Sequence, residues 1–259
     1  MSTVHAPLRH VLITGASSGI GEALARAYAA RGVTLSLTGR DKERLAVVCT
    51  ACRAHGADVD GGAIDVTNAK AMAAWIGERD AVAPLDLVVA NAGVSSGTAQ
   101  TTSSDDAERV RQIFAVNVDG AINTVMPAVA RMRPRRRGQI ALVSSLAGFR
   151  GVGGAAAYGA SKAAVRVWGE GLRLQLTDAN IAVSVICPGF VRSRITDQND
   201  FRMPFFMDAP RAADIIVRGL ARGQSRISFP WQMALLVWGF AALPDRWAQA
   251  ILPHLPRKD

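Results

Sequence analysis

Short runs of β-branched and aliphatic residues alternate with long alanine-rich stretches from residue 10 to residue 229, and no other feature constrains the fold as strongly. Such alternation is the signature of β-α-β units wound into a parallel sheet, because each parallel strand needs a crossover helix to bring the chain back. The strand-like runs are His10 to Thr14, Thr34 to Thr38, Val59 to Ile64, Leu85 to Ala90, Gln139 to Ser144, Ile181 to Ile186 and Arg226 to Phe229. Helical stretches are predicted near 20–31, 41–55, 68–82, 105–132 and 157–178. The expected fold is therefore α/β, a doubly wound, seven-stranded parallel sheet flanked by helices. With 259 residues, 49% of them hydrophobic, and no linker or internal repeat, a single domain spanning 1–259 is expected.

Two segments depart from the alternation. Residues 190–208, with Phe201, Met203, Phe205, Phe206 and Met207, follow the sixth strand. Ligands of such sheets bind outside the carboxyl ends of the strands, so this segment is predicted to be an apolar lid, with a short core helix as the alternative. Residues 231–255 form an apolar C-terminal extension predicted to be helical. Its richest part, Met233 to Leu243, is too short for the roughly 20 residues that a membrane span needs, leaving a buried helix, a subunit contact or an interfacial helix, weighted in that order.

The first strand runs into Gly15-Ala16-Ser17-Ser18-Gly19-Ile20-Gly21 and then directly into a helix. Glycines let the backbone turn tightly and approach an anion, and a helix start offers free N–H groups and the positive end of its dipole. The turn is thus a candidate pyrophosphate site, with spacing G-x-x-x-G-x-G. At the end of the second strand, where NAD sites place an acid against the ribose 2′-hydroxyl, stands Arg40. A guanidinium pairs with a 2′-phosphate, so NADP(H) is favoured over NAD(H). Asp41 could serve a 2′-hydroxyl if the turn shifted, but an N-cap on the following helix is the better reading.

Tyr158 and Lys162 lie four residues apart in a helical stretch, with Ser145 thirteen residues upstream of the tyrosine. Positions i and i+4 share a helix face, so the Lys162 ammonium is expected to lower the pKa of the Tyr158 phenol and make it an acid/base. Taken alone, the pair reads better as a solvated helix face.

The formal charge of +9 would matter for nucleic acid only as a clustered patch, and the one cluster is Arg131, Arg133, Arg135, Arg136 and Arg137. At a helix C-terminus these cations complement the dipole, so a solvated helix end is expected and no nucleic-acid partner. Cys49 and Cys52 form a C-x-x-C inside a helical pattern, and Cys187 is alone; no metal site is expected. No apolar signal core precedes the first strand, which points to a cytoplasmic location.

With these motifs in order, residues 9–230 resemble the short-chain dehydrogenase/reductase family of the single-domain type. The resemblance rests on Gly15, Gly19 and Gly21; Asn91-Ala92-Gly93 after the fourth strand; Asn117; Ser145 with Tyr158-x-x-x-Lys162; and Pro188-Gly189 after the sixth strand. It implies a Rossmann-type sheet, hydride transfer between a nicotinamide and a carbonyl or secondary alcohol, and a catalytic tetrad of Asn117, Ser145, Tyr158 and Lys162. Within the tetrad, Tyr158 carries the proton, Ser145 holds the substrate oxygen, Lys162 bonds the nicotinamide ribose and Asn117 holds a water linking the lysine to solvent. It also implies cofactor contacts from Ser17, Ser18 and Ile20 beside the three glycines, from Arg40, Asp65, Val66, Asn91, Ala92 and Gly93, and from Pro188, Gly189, Val191 and Ser193 together with Tyr158 and Lys162. Ser193 stands where the family commonly has threonine, and the flanking Arg192 and Arg194 hint at an anion, although solvated loop charges are the simpler reading. A homodimer or homotetramer through 105–132 and 157–178 is implied. A catalytically silent dinucleotide sensor or scaffold, and a membrane-surface reductase of a lipid-like ketone, are the alternatives.

Overall fold

Alternation along the strands decides which side chains go to which face. In a computed structural model, which describes residues 8–95, 107–151, 154–194, 196 and 203–251, strand β1 (His10–Thr14) buries all five residues. Val11 and Ile13 join one apolar cluster, while Leu12 joins another on the opposite side of the sheet. The remaining strands are β2 (Thr34–Thr38), β3 (Asp58–Gly62), β4 (Leu87–Ala90), β5 (Gly138–Val143), β6 (Ile181–Pro188) and β7 (Arg226–Phe229). All pair in parallel in the order β3-β2-β1-β4-β5-β6-β7, with Leu12 opposite Ser36 on one side and Val88 on the other. This is the expected seven-stranded, doubly wound Rossmann-like sheet, and its order reverses between β1 and β4, where a crevice opens.

Helices cover both faces. On one lie α1 (Gly19–Tyr28), α2 (Lys42–Ala54) and α7 (Ala209–Ala221), burying Leu24, Val48 and Ile216 against β1, β2 and β6. On the other lie α3 (Ala69–Val82), α4 (Ala107–Phe114), α5 (Gly120–Arg135) and α6 (Ala156–Gln175), with Ile76, Val125 and Val165 packed against β1, β4 and β5. Burial on both faces explains why the inner strands β1, β4, β5 and β6 read as nearly continuous apolar runs, whereas the edge strand β3, DVDGG, stays largely open to solvent.

Several boundaries differ from the sequence reading. The third strand ends at Gly62 because Ile64 turns away and its N–H bonds the Thr38 hydroxyl at 3.2 Å. The fourth begins at Leu87 because the Leu85 N–H is held by the Asp80 carboxylate at 2.9 Å. The helix expected over 105–132 is not one regular helix: Ala115–Asp119 form a π-turn between α4 and α5, and 105–106 lie outside the described residues. The arginine cluster is not simply a solvated helix end, since Arg135 pairs with Asp80 and Arg137 with Asp86, each at 2.8 Å. Cys49 and Cys52 are buried in α2, and burial raises both thiols.

The apolar extension forms α8 (Trp231–Ala242) and α9 (Asp245–Ile251). The buried-helix expectation is corrected here: no residue of α8 is buried, for only Met233, Ala234 and Val237 pack inward, against the small cluster of Leu146, Val185 and Cys187.

Candidate active site

The crevice at the carboxyl ends of β1 and β4 is a cleft of about 640 Å³. Its floor is built by the turn after β1. Gly15 and Gly19 have φ of +66° and +58°, a region that side chains disfavour, so the turn closes tightly enough for α1 to begin at Gly19. Gly21 is buried, and a Cβ there would collide with the Gly15 carbonyl and the Asn91 side chain. The N-cap residue Ser18 makes no side-chain capping bond, so the first N–H groups of α1 are left for an anion. Asn91 fixes the turn from across the sheet: its Nδ2 donates to the Thr14 and Gly15 carbonyls at 2.9 and 3.2 Å. Thr14 returns the contact, its hydroxyl oxygen accepting the N–H groups of Asn91 and Ala92 at 3.1 and 3.2 Å. Thr14 has no counterpart in the sequence reading; the threonine just before the glycines was the signal.

At one end of the cleft, β2 delivers Arg40 and Asp41 to the wall. Asp41 caps α2, accepting the Arg44 N–H at 3.0 Å and pairing with the Arg44 guanidinium at 2.7 Å. Arg40 is exposed and has no carboxylate partner among the described residues. Arg44, also in the wall, was missed by sequence reasoning, although its place three residues after a capping aspartate could have marked it. Asp65, Val66, Ala92 and Gly93 line the same cleft, as do Ser17, Ser18 and Ile20; the Asp65 carboxylate accepts from the Thr67 N–H and hydroxyl, each at 2.9 Å.

At the other end, Ser145 follows β5 and Tyr158 and Lys162 project from α6. Ser144 Oγ donates to the Lys162 carbonyl at 2.7 Å and anchors α6, while Ser145 Oγ accepts the Ala147 N–H at 3.1 Å and is within hydrogen-bond reach of the Tyr158 hydroxyl. Burial pushes the Tyr158 phenol above its usual value, and the Ser145 hydrogen bond offsets part of that rise. The phenol is thus raised rather than lowered as expected, because burial is the largest influence on it. The Lys162 ammonium donates to the Val143 carbonyl at 3.0 Å and stands 5.8 Å from the centre of the Tyr158 ring. Burial in turn lowers Lys162 itself to about 8.

Asn117 lies on the π-turn behind the cleft and does not line it. Its Oδ1 accepts the Val94 N–H at 2.8 Å, and its Nδ2 donates to the Val94 carbonyl and to Ser161 Oγ at 3.0 and 2.9 Å. A Cβ on Gly93 would stand 3.2 Å from both Asn117 Oδ1 and Lys162 Nζ, so the bare glycine lets these groups converge.

Pro188, Gly189, Val191 and Ser193 form the far wall. Ser193 faces the glycine turn, 2.9 Å from where a Gly19 Cβ would stand, and is braced by Thr196, whose Oγ1 accepts its N–H at 2.8 Å. Arg192 pairs with Asp208 at 3.0 Å outside the cleft, whereas Arg194 lines it. Of the predicted lid, 195 and 197–202 lie outside the described residues; Val191 bridges Met207 at its base. The cradle left by Gly15, Gly19 and Gly21, the uncapped start of α1 and a cleft of about 640 Å³ fit a dinucleotide.

Comparison with known proteins agrees with the geometry. The model of the family described as short chain dehydrogenase matches residues 9–202. An uncharacterized oxidoreductase of Myxococcus xanthus is 44% identical over 238 residues, covering 92% of this chain and 93% of that protein. A short-chain dehydrogenase from Sphingobium yanoikuyae, solved with NADPH, superposes with a TM-score of 0.80 at 26% identity over 97% of this chain and 98% of its own. A Burkholderia phymatum member solved with NAD gives 0.80 and 26% over 89% and 92%.

Proposed function

Because the chain belongs to the short-chain dehydrogenase family, and so is a nicotinamide-dependent oxidoreductase of CH–OH or C=O groups, we propose that it is an NADP(H)-dependent enzyme in which Tyr158 is the acid/base. The observation that carries this is the meeting of Ser145, Tyr158 and Lys162 at one end of a cleft whose other end holds Arg40. When bound, the nicotinamide supplies hydride to the carbonyl carbon or takes it from the alcohol.

The chain's own groups handle the proton. In the reducing direction Tyr158 gives its hydroxyl proton to the substrate oxygen, and the phenolate that remains accepts the Ser145 hydroxyl hydrogen bond. Since burial raises the phenol, it is protonated and ready to donate at neutral pH. Lys162, held by the Val143 carbonyl, puts a positive charge under the same region and favours the phenolate once it forms. Asn117 acts as a positioning residue: with its carboxamide engaged by Val94 and Ser161, it holds the β4 exit and the start of α6 in register.

Support for NADP(H) comes from Arg40 and Arg44 in the cleft wall and from the engagement of Asp41 by Arg44, which leaves no free acid at the end of β2 to repel a 2′-phosphate. Ile122, Met126, Val167 and Leu174 remain exposed on α5 and α6, and pairing two copies through these helices would cover them. A panel of ketones and secondary alcohols, followed by nicotinamide absorbance with NADPH and NADH, tests the reading. Turnover of some carbonyl or alcohol with NADPH favoured is expected; turnover with NADH alone would overturn the cofactor assignment, and none with either cofactor the enzymatic one.

A further inference from the structure

The C-terminal pair α8 and α9 carries an apolar surface that the site chemistry does not use. The sequence of α8, WQMALLVWGFAA, has no charged residue and only one polar side chain, Gln232. A helix apolar all round is normally buried, yet none of its residues is. Trp231, Leu235 and Trp238 form an i, i+4, i+7 stripe, joined by Leu236, and with Trp247 of α9 they are 58 to 69% exposed. Three of the chain's five tryptophans are thus exposed on α8 and α9, on a molecule whose formal charge is +9. The opposite face of α8 is seated firmly: Met233 packs on Gly189 and Leu146, and Arg150 holds the helix end through the Leu243 carbonyl at 2.8 Å and Asp245 at 2.6 Å.

We propose that this face docks on an anionic lipid bilayer, with α8 lying in the interfacial plane. Tryptophan is the residue suited to that depth, since its ring is apolar and its N–H needs a polar partner. The electrostatics match as well. Arg246, stacked 5.8 Å from the Trp247 ring, has no carboxylate partner among the described residues, while Asp245, the acid of this segment, is neutralised by Arg150. The net charge of the whole chain adds a long-range attraction to a negative surface. Because Met233 rests on Gly189, α8 itself adjoins the wall of the cleft through the face turned away from the bilayer.

The full chain is tested by flotation with vesicles of phosphatidylcholine alone and of phosphatidylcholine with phosphatidylglycerol. Wild type is expected to float with the anionic vesicles, more strongly at low salt. Its tryptophan emission should shift to the blue and be quenched by bromine-labelled acyl chains. Leu236→Ser combined with Trp238→Ser should lower vesicle affinity by at least about tenfold, two large side chains having lost their apolar burial. Its ketone-reductase rate should stay unchanged, which also checks that it folds. Absence of wild-type binding and of any emission shift with anionic vesicles overturns the proposal. So does a serine variant that floats as well as wild type; if that variant also falls from dimer to monomer on a sizing column, the face is a contact between two copies.

Discussion

Asp41 is locked onto Arg44, its carboxylate accepting the Arg44 N–H at 3.0 Å and pairing with the guanidinium at 2.7 Å, while its neighbour Arg40, in the cleft wall, has no carboxylate partner among the described residues. Adjacent residues at the end of β2 thus have opposite fates. The acid caps a helix, and the cation lines the cleft. Arg40→Ala should raise KM for NADPH by about ten- to a hundred-fold, the loss of a charge-assisted hydrogen bond of roughly 1.5–3 kcal/mol, and leave KM for NADH nearly unchanged. Equal effects on both cofactors in steady-state kinetics would remove the 2′-phosphate contact.

Asp41→Ala should lower unfolding stability by about 1 kcal/mol through the lost N-cap, seen as a lower urea midpoint at unchanged slope. Asp41→Asn keeps the capping oxygen and should recover most of that loss. If neither variant differs from wild type, the cap carries no stability.

The pH dependence follows from Lys162, whose pKa burial lowers to about 8. The ammonium is present below that value and lost as pH rises through it. For ketone reduction, kcat/KM should therefore fall above about pH 8, since this ratio reports groups of the free enzyme. Lys162→Arg keeps the charge at all accessible pH values; it should be slower but should lose the alkaline limb near 8. A limb that persists in that variant belongs to another group.

Ser161 tests the positioning role of Asn117, because its Oγ accepts from Asn117 Nδ2 at 2.9 Å and donates to the Tyr158 carbonyl at 2.8 Å. Ser161→Ala leaves a buried amide donor without one partner and should cost about 1–3 kcal/mol of stability. A purely structural defect would stop there. Positioning predicts that kcat also drops while KM for the cofactor holds, and that Ser161→Thr restores kcat in part.

These expectations mix what the sequence reveals with what it hides. The inner sheet was legible because strands buried on both faces leave apolar runs, the edge strand β3 less so, and the glycine turn because its position after β1 is as telling as its composition. Direction was harder to read. The i, i+4 spacing of Tyr158 and Lys162 holds, but spacing cannot say that the ammonium turns toward the Val143 carbonyl and leaves the phenol to Ser145. Nor does Ala-Val-Asn-Val-Asp, residues 115–119, announce a π-turn, since its apolar periodicity is that of an ordinary helix. The apolar run of α8 suggested a buried helix because hydropathy reports what a segment avoids, not whether anything covers it.

The central claim is that Tyr158 moves the proton that accompanies hydride transfer, and Tyr158→Phe tests it most directly. The variant deletes one oxygen from a group that burial keeps protonated and leaves the ring in place. Reduction of the best ketone should be followed by NADPH absorbance, with NADPH binding measured on the same sample by fluorescence titration. The expected result is a fall in kcat of roughly a hundredfold or more, in line with the contribution of general acid catalysis, with NADPH affinity changed by less than about threefold. A variant that binds NADPH normally and reduces the ketone at the wild-type rate would contradict the assignment of Tyr158.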